Sequence, residues 1–146
     1  MESLDRYAAI ARQVELFRGI APDDVHKILH KGMTMRAERG QTIFHKGTTG
    51  NTMYIILGGS VALFDGKKQL ATLRVGDMFG EMALINNEPR SASALAAEET
   101  MLFALDETTF HKLMTKSVAI RMLLNIITTL SHRLRKANER LAEPGS

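Results

Sequence analysis

Between residues 79 and 94 the chain reads FGEMALINNEPRSASA, a stretch that gathers the residue types needed to hold a small anion. Gly80 lets a backbone approach something closely. Glu81-Met82-Ala83-Leu84-Ile85 reads as one helical turn, whose first N–H groups are unpaired and carry partial positive charge, as a phosphate requires. Ten residues after Gly80, Arg90 supplies a planar, permanently charged fork suited to phosphate oxygens. Pro89 stiffens the approach to it. Glu81, at the mouth of the turn, can accept a hydrogen bond from a sugar hydroxyl. Together these residues would hold a molecule carrying a phosphate and a hydroxyl. Each also has a purely structural use: Glu81 can complement the dipole of its own turn, and Arg90 can pair with Glu81 or Glu88.

Other chemistries find less support. The chain has no cysteine, which removes disulfides, thiolate metal sites and a cysteine nucleophile. His26 and His30 stand one helical turn apart, but Lys27, Ile28 and Leu29 lie between them and no Glu is placed to act as a base. No metal site is expected there. A metal-dependent enzyme on a β-roll would need clustered His and Glu on strands, and His45 is the sole histidine of the strand region. The nine methionines occupy apolar positions and read as core. No catalytic group is singled out, so the chain is not expected to be an enzyme.

The elements that must position Glu81 and Arg90 follow from periodicity. At 146 residues the chain has room for one domain, expected over 1–142 with a short tail at 143–146. Residues 3 to 17 carry Leu4, Tyr7, Ile10, Ala11, Val14 and Phe17 at helical spacing, and a second helix should begin after Pro22. From 31 to 105 short apolar runs alternate with turn residues such as Gly40, Gly47, Gly58-Gly59 and Gly76-Asp77. The clearest hairpin signal is Asp65-Gly66 between two apolar runs. This pattern predicts a mainly β chain with flanking helices. Asp106 should cap a short helix, and a long helix is expected over 117–142. In it Leu123, Ile127, Leu130, Leu134, Ala137 and Leu141 fall at alternating spacings of four and three, the seam of a coiled coil. Packing onto the β-domain would explain the first half of that seam equally well, whereas a partner helix better explains the second half. A homodimer through this helix is expected.

The segment from Phe79 to Ala92 resembles the phosphate-binding cassette of the cyclic-nucleotide-binding domain family, found in sensors of the catabolite-activator and protein kinase A regulatory-subunit type. Phe79, Gly80, Glu81, Met82, Ala83, Leu84, Pro89, Arg90, Ser91 and Ala92 match that motif. Gly58-Gly59-Ser60-Val61 and Gly76-Asp77 extend the resemblance, which covers most of residues 10 to 142. It implies an antiparallel β jelly-roll (a double-stranded β-helix) with N-terminal helices and a long C-terminal helix. It also implies a regulatory module that binds a cyclic nucleotide, cAMP in preference to cGMP, and moves its C-terminal helix. Glu81 would take the ribose 2′-hydroxyl and Arg90 the exocyclic phosphate oxygens. Gly80, the N–H groups of Met82 and Ala83, and Ser91 with Ala92 would complete the cradle. Leu63, Leu70 and Leu73 would flank the purine and ribose, and Asn138 of the long helix would meet the base. The other reading of the resemblance is a degenerate sensor fold that binds no nucleotide.

Partners are bounded more loosely. The formal net charge is only +3, although Arg133, Arg135, Lys136 and Arg140 crowd the last turns of the long helix. No helix-turn-helix follows Leu141, so no DNA-binding domain is expected in this chain. No stretch approaches the roughly eighteen apolar residues of a membrane span, and the charged N-terminus is unlike a signal peptide. A cytoplasmic protein without a membrane partner or cofactor is expected.

Overall fold

Apolar residues in alternation between Gly32 and Asp106 form eight strands in the computed structural model, which describes residues 13–86, 88–113 and 116–142. They are β1 (Met33–Ala37), β2 (Thr42–Phe44), β3 (Thr52–Gly58), β4 (Ser60–Asp65), β5 (Lys68–Arg74), β6 (Met78–Phe79), β7 (Ser93–Ala96) and β8 (Thr100–Asp106). The strands pair into two four-stranded antiparallel sheets, β1-β8-β3-β6 and β2-β7-β4-β5. The jelly-roll expectation holds. Ala37, Ile56, Val61, Phe79, Ala94, Ala96 and Leu102 fill the space between the sheets. The Asp-Gly signal marks a real hairpin, with Asp65 opposite Lys68 and Gly66 at a φ of 62°. Periodicity missed only β6, whose two residues are too few to show a period.

Helices close the other side of the β1-β8-β3-β6 sheet. A 3₁₀ turn at Glu15–Phe17, α1 (Pro22–Lys31), α2 (Glu107–Leu113) and α3 (Ser117–Ala142) surround a second core. That core includes Phe17, Ile28, Ile55, Phe103, Phe110 and Met122. Most of the helix expected over 3–17 lies outside the described residues. Pro22 opens α1, where its missing N–H leaves nothing unsatisfied. Asp106 caps α2 by accepting a 2.7 Å hydrogen bond from the Thr109 N–H. Hydrogen bonds from the Thr109 backbone and side chain hold its carboxyl below the ordinary aspartate value.

The long helix has two different halves. Ala119, Met122, Asn125, Ile126 and Thr129 are buried against the rest of the fold. Asn125 Nδ2 donates to the carbonyls of Leu16 and Arg18 at 2.6 and 2.9 Å, and Thr129 Oγ1 donates to Glu15 Oε2 at 2.9 Å. From Ser131 onward every described side chain is exposed except the half-buried Arg133. The six apolar residues expected as one seam therefore divide. Leu123 and Leu130 pack against the core, whereas Ile127, Leu134 and Leu141 are exposed. Ile120 and Leu124 join the exposed set, so the outward stripe runs 120, 124, 127, 131, 134, 138, 141. The helix is long enough to carry two stripes, one for the core and one for solvent.

Among the described residues, no helix is long and apolar enough to cross a membrane.

Candidate functional site

Glu81 heads a 3₁₀ turn, Glu81–Leu84, entered through Gly80 in the left-handed conformation (φ 73°, ψ 15°). Glycine is needed there twice over, since a Cβ on residue 80 would also stand 2.7 Å from Arg90 Nη1. The Arg90 backbone is pinned to the loop between β2 and β3. Its N–H donates to the Thr48 carbonyl at 2.9 Å, and its carbonyl accepts from the Gly47 N–H at 2.8 Å.

The Arg90 side chain is 9% exposed. Nη1 donates to the Gly80 carbonyl at 3.2 Å and Nη2 to the Thr52 carbonyl at 2.7 Å, while Cζ lies 4.2 Å from the centre of the Phe44 ring. Nε is buried and has no hydrogen-bond partner. Among the described residues no carboxylate forms an ion pair with this guanidinium. Loss of water lowers its pKa from the ordinary arginine value, against the opposing electrostatic influence of Tyr54 and Glu81. A buried cation held by two carbonyl dipoles and a ring face, with no paired carboxylate, is costly, and an arriving anion offsets that cost.

Glu81 is 6% exposed, and its partner comes from the long helix. Arg133 Nη1 donates to Glu81 Oε1 at 3.2 Å, and Arg133 Nη2 donates to the Met78 carbonyl at 2.6 Å. Neither structural use envisaged for Arg90 is realised, because its hydrogen bonds go to carbonyl oxygens. Arg133 was not singled out for this site from the sequence. The available signal was its place on the buried stripe of α3, four residues beyond Thr129 and seven beyond Ile126.

Beside Arg133 opens a cleft of about 600 Å³, walled by Leu63, Ala71, Thr72 and Leu73 of the roll and by Ala137 of α3, among others. Of the residues expected at the site, Glu81, Ala83, Arg90 and Ala92 are buried and Gly80 is half-buried, with Met82 and Ser91 exposed. Arg90 and Gly80 meet through a hydrogen bond, and none of these seven residues lines the cleft. Leu63 and Leu73 line the cleft. Three expectations need correction. The Ala83 N–H donates to the Gly80 carbonyl at 3.2 Å, closing the 3₁₀ turn instead of facing outward. Leu70 does not line the cleft. Leu63 pairs with Ala71 and Phe64 with Gln69, which leaves Leu70 as the extra residue of a β-bulge, 42% exposed. Asn138 is absent from the cleft as well, because each helical residue turns about 100°. Ala137 lines the cleft, and Asn138 lines an adjoining groove with Ser131, Leu134 and Ala142.

A family model described as the cyclic nucleotide-binding domain matches residues 34–117, which is more than half the chain. The chain belongs to the cyclic nucleotide-binding domain family. It is 34% identical over 128 residues to the cyclic AMP receptor protein of Thermus thermophilus, covering 84% of this chain and 58% of that relative. It is 31% identical over 108 residues to the cAMP-dependent protein kinase regulatory subunit of Hypocrea atroviridis, covering 74% of this chain and 23% of that relative. Among solved structures, it superposes on the Thermus thermophilus catabolite activator protein with a TM-score of 0.78 and 34% identity, covering 87% of this chain and 61% of that one. The domain thus spans less than two thirds of the length of these relatives.

Among the described residues no group of three or more metal-ligating side chains is found. His26 and His30 face each other with Nε2 atoms 3.0 Å apart on α1.

Proposed function

We propose that this cyclic nucleotide-binding domain is a sensor for cAMP, taken in preference to cGMP. The observation that carries the reading is Arg90, a desolvated guanidinium with an unpartnered Nε and no paired carboxylate among the described residues. In this reading Arg90 takes the exocyclic oxygens of the cyclic phosphate and Glu81 the ribose 2′-hydroxyl. Gly80, Met82, Ser91 and Ala92 surround the phosphate, with Leu63 and Leu73 against the purine. The names of the two sequence relatives support cAMP as the ligand. Calorimetric titration tests this directly. Saturable binding of cAMP, tighter than that of cGMP, is expected. No binding of either would leave the domain as a degenerate sensor fold.

Ligand binding should also act on α3. Arg133 links Glu81 to the distal half of the helix, so a hydroxyl reaching Glu81 meets the same carboxylate that Arg133 holds. A ligand that changes this contact has different affinity for the two helix positions and shifts the population between them. Hydrogen exchange across residues 131–142 is therefore expected to change on saturation with cAMP. Unchanged exchange would make α3 a static strut.

The outward stripe of α3 gives the proposed assembly, a homodimer with the two helices side by side. Asn138 then lies in the helix–helix seam. The likeness to the Thermus thermophilus receptor supports placing the domain as the sensory part of a transcriptional regulator of the catabolite-activator type, without enzymatic activity.

A further inference from the structure

Arg90 must present its charge in one orientation if it is to select a phosphate, and an arginine side chain has several rotatable bonds to restrain. Two carbonyls pin its tips, and its Cζ lies over the Phe44 ring. Phe44 ends the edge strand β2 of one sheet, and its ring lies 6.0 Å from Tyr54 and 5.9 Å from Phe79, both on the other sheet. Tyr54 and Phe79 are themselves stacked at 5.3 Å with an interplanar angle of 20°. The ring under the guanidinium is thus fixed by a three-ring cluster that bridges both sheets. Gly50 lies close to the same guanidinium, where a larger residue would press on it. A Cβ there would stand 2.5 Å from Nη2 and 2.9 Å from Nε.

We infer that Phe44 is a positioning residue for Arg90, and through it for the phosphate of the ligand. The inference rests on the proposed reading of Arg90 as the phosphate-binding group. A guanidinium over an aromatic face gains attraction that grows as water is excluded, and here the cation is almost fully buried. Phe44 therefore restrains both the orientation and the hydration of Arg90 before any anion arrives. Aliphatic side chains of similar size fill the space but offer no ring face. An ordered arginine binds better than one that must be ordered by the ligand, by the cost of fixing one flexible side chain.

The test is calorimetry with cAMP on the parent chain, Phe44→Leu, Phe44→Tyr, Arg90→Gln and the Phe44→Leu/Arg90→Gln double variant, each checked for folding by thermal melting. Phe44→Leu should weaken binding about two- to ten-fold, the affinity equivalent of ordering one side chain. Phe44→Tyr keeps the ring and should bind like the parent. In the Arg90→Gln background the Leu change should have no further effect, because the group it positions is gone. Should Leu unfold the chain, Phe44→Met serves the same comparison with a more adaptable side chain. Parent-like binding by the Leu variant, or an equal loss with and without Arg90, would overturn the inference while leaving the cAMP reading intact. A parent chain that binds no cyclic nucleotide would remove both.

Discussion

Arg90→Ala is expected to bind cAMP about ten- to three-hundred-fold more weakly than the parent chain. A cyclic phosphate carries one negative charge and loses much of its water on reaching the desolvated Arg90. Charge-assisted hydrogen bonds to the guanidinium offset that loss, each contributing about 1.5–3 kcal/mol. At about 1.4 kcal/mol per tenfold, loss of one such bond sets the lower bound and partial loss of a second the upper. Arg90→Lys should recover only part of the affinity, because it keeps the charge and loses the planar fork. The alanine change also frees the carbonyls of Gly80 and Thr52, so thermal melting must accompany the titration. An Arg90→Ala chain that remains folded and binds cAMP as tightly as the parent would remove the cassette assignment altogether.

Leu134→Lys is expected to convert a homodimer into a monomer. Leu134 is 63% exposed, so the fold of the single chain does not depend on it. Its neighbours along the outward stripe, Ile127 and Leu141, are 60% and 83% exposed. Burying a large aliphatic side chain contributes about 1.5–3 kcal/mol, and several such residues per helix suffice to hold two copies together. A lysine in the middle of that seam would place a charge where water is excluded. The same change at Leu130, four residues earlier, should instead destabilise the fold, because Leu130 packs against the core. Sedimentation velocity reads both outcomes. If the unmodified chain sediments as a monomer with and without cAMP, the dimer proposal is wrong.

The β-roll, the hairpin at Asp65-Gly66, the cap at Asp106 and the family of the domain were all legible in the sequence, because each rests on short-range signals. Strand alternation, Gly turn positions and an Asp before a helix are set by local backbone sterics and hydrogen bonding. The cassette is likewise contiguous, so Glu81 and Arg90 could be picked out together. What surrounds them comes from distant parts of the chain. Thr52 and Phe44 reach Arg90 from β3 and β2, and Arg133 reaches Glu81 across 52 residues. No periodicity encodes such meetings, since they depend on how two sheets and a helix pack. The long helix shows the same division on a single element. Its spacing marked a helix with one apolar seam, but packing decided that Leu123 and Leu130 turn to the core while Ile127 and Leu134 turn outward. The same rotation of about 100° per residue put Ala137 at the cleft and Asn138 away from it. Leu70 fails for an equally tertiary reason, because a bulge in strand pairing shifts which side chains face the cleft, and register is set by the partner strand as much as by the strand itself.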